Sequence, residues 1–329
     1  MGGTAWSSGG GPEADRPPPP PGARARERPS LTAEVVALLR AREQLRPPAA
    51  RLIEDPWALP FLQASRSPLV RGPRGIAGPV PAAIERLMDL PPLGAAAFVP
   101  LRHRIMDEHL ERAVAGGIRQ IAILGAGLDA RPYRLRSPAG SEPLRFFEVD
   151  HPSVSAIKQG IVARVVGEVP HVRFVAVDLE RQPLEQPLLA AGLEPRQRSA
   201  FVWEGVTYYL EEQAIRATLG ALARLGAPGS LLLLDGRWRL GLRRPWSALL
   251  LLGGRVLLRA LGEPLRFAFG PPASPTEPRA LLAAAGWELG VLHEHAELAR
   301  RLAQARGARA RLEPMWFVLA AERPPAGAG

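Results

Sequence analysis

Cysteine is absent from this 329-residue chain. Disulfides, thiolate metal sites and cysteine nucleophiles are thereby excluded. Lysine is nearly absent too: Lys158 is the only one, so arginine supplies almost all of the basic charge behind a net +10. That balance invites a nucleic-acid reading. The arginines are scattered, however, with local clusters at 24–28, 237–244 and 300–311, and no aromatic-plus-basic segment resembles a nucleic-acid module. No nucleic-acid partner is expected. Long hydrophobic runs are also missing. The longest aliphatic stretch, 248–261, is interrupted by Gly253, Gly254, Arg255 and Arg259, too short and too charged to span a bilayer. The first residues are rich in Gly, Pro and Ser and lack the apolar core of a signal peptide. The expectation is a cytoplasmic protein without a membrane partner.

What is present is 47% hydrophobic residues, enough for one large α/β domain with appendages. Residues 1–30 carry the proline run 17–21 and little that could form a core, so they read as a disordered tail. Ser30 is a plausible cap for a helix running to about Arg46, where Pro47 and Pro48 stop it. The stretch 47–100, broken by prolines and glycines, reads as short helices, making 31–100 a helical lid region. From Leu101 a helix to about 116 precedes strands near 120–124, 144–149, 172–177, 199–203 and 230–235. Helices fall between them near 153–167, 184–191 and 211–225. That rhythm means a parallel, doubly wound α/β sheet. Segment 236–275 breaks it and reads as an insertion with an apolar helix. A helix near 276–285, strands at 287–292 and 314–320, and a tail at 322–329 complete a main domain over 101–321.

Residues 121–135 (IAILGAGLDARPYRL) and 146–152 (FFEVDHP) carry the strongest signal. An apolar run ends in Gly125 and Gly127, where backbone can approach a ligand closely. A second run ends in Asp150, just over twenty residues on, the separation that places an acid beside an adenosine ribose. Two further runs end in Asp178 and Glu204. Acids ending consecutive parallel strands share one carboxyl edge, where ligands bind. A pocket of carboxylates without a basic clamp suits a cationic, phosphate-free ligand and would repel a pyrophosphate. Asp150 could instead cap the helix starting near Ser153.

Taken together, 101–107 (LRHRIMD), the GAGLDARPYRL segment, 148–152 (EVDHP), 177–180 (VDLE) and 203–210 (WEGVTYYL) resemble the leucine carboxyl methyltransferase family, in the family's order and over roughly 100–235. The resemblance implies a mostly parallel seven-stranded Rossmann-like methyltransferase sheet, S-adenosylmethionine as cofactor, and an O-methyltransferase acting on a small-molecule acceptor. It places Arg102 on the cofactor carboxylate, Gly125 and Gly127 at the methionine-side turn, Asp150 on the ribose, Asp178 and Leu179 on the adenine, and Glu204 closing the pocket. Arg104, Tyr208 and Tyr209 are candidates for the acceptor side. No unmistakable general base is present, and a carboxylate acceptor would need none. Asp129 reads as an organiser of the glycine turn, and His103 and His109 as surface residues. His293 and His295 lack a third ligand, so no metal is expected. Two alternatives stay open. One is a nicotinamide-dependent oxidoreductase, through the glycines and Asp150, though Pro132 falls early in its helix and a Tyr-x-x-x-Lys pair is missing. The other is a non-catalytic S-adenosylmethionine-binding protein.

Overall fold

A computed structural model describes residues 30–72, 74–91, 94–239, 263–272, 274–307 and 312–325, together with Leu252, Gly253, Val256, Leu258 and Arg259. Seven strands form one sheet: β1 Gln120–Leu124, β2 Arg145–Asp150, β3 Val172–Ala176, β4 Ser199–Trp203, β5 Leu231–Arg237, β6 Glu288–His293 and β7 Trp316–Glu322. Their order is β3-β2-β1-β4-β5-β7-β6. The first five run parallel, and β7 lies antiparallel between β5 and β6. The central strands β1 and β4 are buried throughout, as a parallel sheet covered on both faces demands. The expected doubly wound sheet is therefore present, and every parallel strand delivers its C-terminal residue to one edge.

The helices are α1 Leu31–Arg42, α2 Ala58–Ala64, α3 Pro79–Met88, α4 Ala95–Ala115, α5 Arg131–Arg134, α6 Pro152–Val165, α7 Glu185–Ala190, α8 Glu212–Leu225, α9 Thr276–Ala284 and α10 His295–Arg306. One apolar core packs α1, α2, α4, α6 and α10 on one face of the sheet. A second core holds α7, α8 and α9 on the other. Ser30 does cap α1, its side chain accepting from the Ala33 N–H at 3.1 Å.

Three boundaries depart from the sequence reading. The helix expected from 101 begins at Ala95 and carries Pro100 inside it. Proline removes one helix hydrogen bond, but Ala95 to Val99 are all buried and Phe98 stacks on Trp316 with ring centroids 5.0 Å apart, which offsets the loss. The crossover between β1 and β2 contains a single helical turn, α5, because Pro138, Gly140 and Pro143 prevent its extension. Helix α10 was hidden by its charge; its apolar stripe is only Leu298 and Leu302, with Ala299 and Ala305 beside them. Residues 1–29 and, within the insertion expected at 236–275, residues 240–251, 254, 255, 257, 260–262 and 273 lie outside the described residues.

One contact between α4 and β6 predicts a pH response. His109 and His293 share a hydrogen bond between their Nε2 atoms at 2.8 Å, and Glu297 meets Nδ1 of His293 at 2.9 Å. The surface placement expected for His109 is thus only half right. Burial, then the charges of His293, Arg112 and Arg301, push His109 down from 6.5 to about 4. The folded ring binds fewer protons than the unfolded one between those values. Its contribution to stability is therefore full above 6.5 and is lost as pH falls toward 4. The ring is half-buried, so solvent screening keeps the effect modest. The thermal midpoint of His109→Gln should accordingly decline less across this window than that of the native chain.

Candidate active site

The carboxyl edge of the sheet opens into a cavity of about 410 Å³. Its floor is the turn after β1. Gly125 and Ala126 donate their N–H groups to the Val149 carbonyl at 2.8 and 3.1 Å, which curls the chain back over β2. Gly125 has φ +64°, and a Cβ there would lie 2.2 Å from Cγ2 of Val206. Gly127 has φ +40° and faces Ala33 of α1. Asp150 ties the floor to its neighbour strand: Oδ2 accepts from Gly127 N at 2.7 Å and Oδ1 from His151 N at 2.7 Å. Burial pushes its carboxyl up despite those two donors. The cap of α6 is the His151 side chain, which accepts from Ser153 N, so Asp150 is not spent there.

Beneath the floor lies the single lysine. Lys158 Nζ donates to the Ala126 and Asp129 carbonyls at 3.2 and 2.9 Å and pairs with Glu148 at 2.7 Å. Burial lifts the Glu148 carboxyl to about 7, even with Lys158 beside it, and Tyr133 donates to it at 3.1 Å.

The wall facing the turn is a buried ionic network. Arg102, on α4, donates from Nε to Glu204 at 3.0 Å and from Nη1 to Asp235 at 2.7 Å and to the Tyr208 hydroxyl at 2.9 Å. Asp235 also accepts from Gly205 N at 2.6 Å. Gly205 (φ +77°) must lack a side chain, since a Cβ would meet Arg102 Nη2 at 2.8 Å. That Nη2 forms no hydrogen bond among the described residues. Arg131, fully buried, donates to Glu204 and to Asp107, both at 2.7 Å, and pairs with Asp129. His103 presents Nδ1 to Glu204 at 3.0 Å and Nε2 to Arg134 at 2.9 Å. The ring therefore donates from Nδ1 and accepts at Nε2. Burial would raise Glu204, but His103, Arg131 and Arg102 outweigh it and hold the carboxylate well below its usual range. His103, Asp129 and Glu204 lie close enough for a cation. Arg131 already binds both carboxylates and both ring nitrogens are engaged, so the set is built around guanidinium groups.

The remaining wall comes from Thr32 of α1, Tyr209, Glu263 and Arg266. Thr32 bridges Glu263 and Tyr209. Arg266 pairs with Glu180 at 2.9 Å and Glu211 at 3.3 Å and donates its N–H to the Tyr208 carbonyl. Burial drives both tyrosine phenols upward. Neither is available as a base near neutral pH.

Arg102, Gly125, Gly127, Asp150, Asp178, Leu179, Glu204, Tyr208 and Tyr209 thus all line one cavity. Arg104 does not. It is half-exposed and paired with Glu108 at 2.9 Å on another face of α4. Besides Arg102, which was expected there, Arg40 and Arg266 also line the cavity. Each is tied to a carboxylate, Arg40 to Asp55 at 3.1 Å. His103, expected on the surface, is buried. Sequence reasoning missed Arg131 and Asp235, although Asp235 ends an apolar run (231–235, LLLLD) as Asp150 does. It also missed how closely α1 joins the site: Arg40 Nη2 donates to the Leu128 carbonyl at 2.6 Å.

The model of the family described as leucine carboxyl methyltransferase matches residues 33–223. A protein of Frankia alni named as a putative S-adenosyl-L-methionine-dependent methyltransferase is 36% identical over 203 residues, 61% of this chain and 66% of that protein. One of Saccharopolyspora erythraea with the same name is 35% identical over 261 residues, 79% of this chain and 83% of its own length. The match thus spans just under two thirds of the Frankia protein. A crystal structure of a putative methyltransferase from Thermobifida fusca aligns with a TM-score of 0.49 at 16% identity, covering 93% of this chain and 98% of that one.

Proposed function

The chain belongs to the leucine carboxyl methyltransferase family, and from that premise we propose that it moves the methyl group of S-adenosyl-L-methionine to a carboxylate or hydroxyl oxygen of a small-molecule acceptor. The observation that carries this reading is the convergence of the glycine turn with Asp150, Asp178 and Glu204 in one cavity. Asp150 offers acceptor oxygens for a ribose diol beside the turn. Asp178 and Leu179 supply a polar edge and an apolar face for adenine. Arg102, whose Nε and Nη1 are fixed by Glu204 and Asp235, has Nη2 left to meet the cofactor's carboxylate. The strand order also supports this reading, since an antiparallel β7 inserted beside β5 differs from the all-parallel dinucleotide sheet.

The cofactor supplies an electrophilic methyl carbon. Arg102, Asp150, Asp178 and Leu179 would hold the cofactor, and transfer of that methyl group to an acceptor oxygen would leave the C–S electron pair on sulfur. The protein's task in such a displacement is alignment, which in favourable cases is worth roughly 7–11 kcal/mol. A hydroxyl acceptor must also lose its proton.

Calorimetry with S-adenosylmethionine, with NADH as rival ligand, tests the reading. Native protein should bind S-adenosylmethionine, and Asp150→Ala should bind at least about tenfold more weakly through loss of charge-assisted hydrogen bonds. Binding of NADH in its place would overturn the proposal.

A further inference from the structure

A second cavity, of about 250 Å³, opens on the face of α4 that carries Arg104. Its charged lining is Arg51, Arg104, Arg301 and Glu108, set among apolar side chains that include Leu52 and Leu101. We propose that this cavity binds a phosphate group, either inorganic phosphate or the phosphate of a small monoester.

Three guanidinium groups from separate elements converge here. Arg51 follows the 3-10 turn Pro48–Ala50, Arg104 lies on α4 and Arg301 on α10. Each is aimed by partners that leave part of its fork unused. Arg51 is held by the carbonyls of Arg46 and Gln44 at 3.0 and 3.1 Å, and among the described residues its Nη1 has only the exposed Glu54 at 3.8 Å. Glu108 sits between Arg104 (2.9 Å) and Arg301 (2.7 Å), and Glu297 holds Arg301 Nε at 3.0 Å. Nη2 of Arg104 and Nη2 of Arg301 form no hydrogen bond among the described residues. The lining itself carries three guanidinium groups and one carboxylate, with Glu54 and Glu297 at its margin, and the N–H groups left over on the guanidinium groups are the donors that a phosphate would meet. A guanidinium N–H makes a short, charge-assisted hydrogen bond to a phosphate oxygen.

The pocket shares α4 with Arg102 and His103 but none of the lining residues of the larger cavity. It is independent of the methyl-transfer reading, and neither stands or falls with the other.

The test is calorimetry with inorganic phosphate and, separately, glycerol phosphate, at ionic strength held constant with chloride. The proteins are the native chain, Arg104→Gln/Arg301→Gln, and Arg300→Gln as an exposed arginine of α10 outside the pocket. We expect saturable binding of at least one probe, weakened about tenfold or more in the double variant and unaltered in Arg300→Gln. The tighter probe tells whether free phosphate or a monoester is the better occupant. Thermal melting of each variant without ligand verifies folding; if the double variant melts early, Arg104→Gln alone serves, since that side chain is half-exposed. Absence of binding by both probes, equal binding in the variants, or displacement of the probe by S-adenosylmethionine would each overturn the proposal.

Discussion

Replacing Arg102 with methionine is expected to destabilise the fold by about 3–5 kcal/mol and to weaken S-adenosylmethionine binding by more than about tenfold. The cause is not the loss of two attractive pairs as such. Asp235 is fully buried and Glu204 nearly so. Without the guanidinium, Asp235 keeps only the Gly205 N–H and the N–H cannot neutralise it. Burial already raises the Asp235 carboxyl, and Arg102 is the chief force pulling it back. In the variant its folded pKa climbs further above the unfolded value of about 3.9. The folded state then holds a proton that the unfolded state has released, so stability falls as pH rises between those two values. Urea unfolding should show a larger gap between native and variant near pH 8 than near pH 5. Adding Asp235→Asn should recover part of the loss at the higher pH, because the amide keeps an acceptor for Gly205 without a charge. A gap independent of pH would show that the deficit comes from packing instead.

The second large effect is expected at Gly125. Alanine there must adopt φ near +64° with its methyl group 2.2 Å from Cγ2 of Val206. The left-handed backbone costs roughly 1–2 kcal/mol, and the overlap about 1–3 kcal/mol more. Relief requires either the turn or the segment after β4 to shift, and both are walls of the same cavity. Gly125→Ala should therefore lose S-adenosylmethionine binding along with stability. Pairing it with Val206→Ala separates the two terms: the overlap disappears and the backbone strain stays. Partial recovery of the urea midpoint is the expected result. Native-like cofactor affinity in Gly125→Ala alone would show that the turn does not touch the ligand.

These two positions also mark what could be read without coordinates. Parallel strands leave a local record, an apolar run with an abrupt end, and the residues ending those runs are Gly125, Asp150, Asp178 and Glu204. All four line the cavity because strand direction alone decides their edge. Arginine burial leaves no such record. Arg102 and Arg104 are two residues apart on one helix, yet the first is buried and the second half-exposed. The difference is made by Asp235 and Glu204, more than a hundred residues away in sequence. Arg131 is likewise fixed by Asp107, and Arg40 by Asp55. Pro100 misled for a related reason: the loss it causes is local and visible, whereas the burial that offsets it depends on Trp316.

Lys158 offers a different kind of access to the molecule. A chain with a single ε-amine, sequestered under the Ala126 and Asp129 carbonyls, presents acylating reagents with no lysine on its described surface. Covalent capture of that amine therefore becomes a clock for the opening of the glycine turn, started by thermal motion and slowed by whatever holds the turn closed.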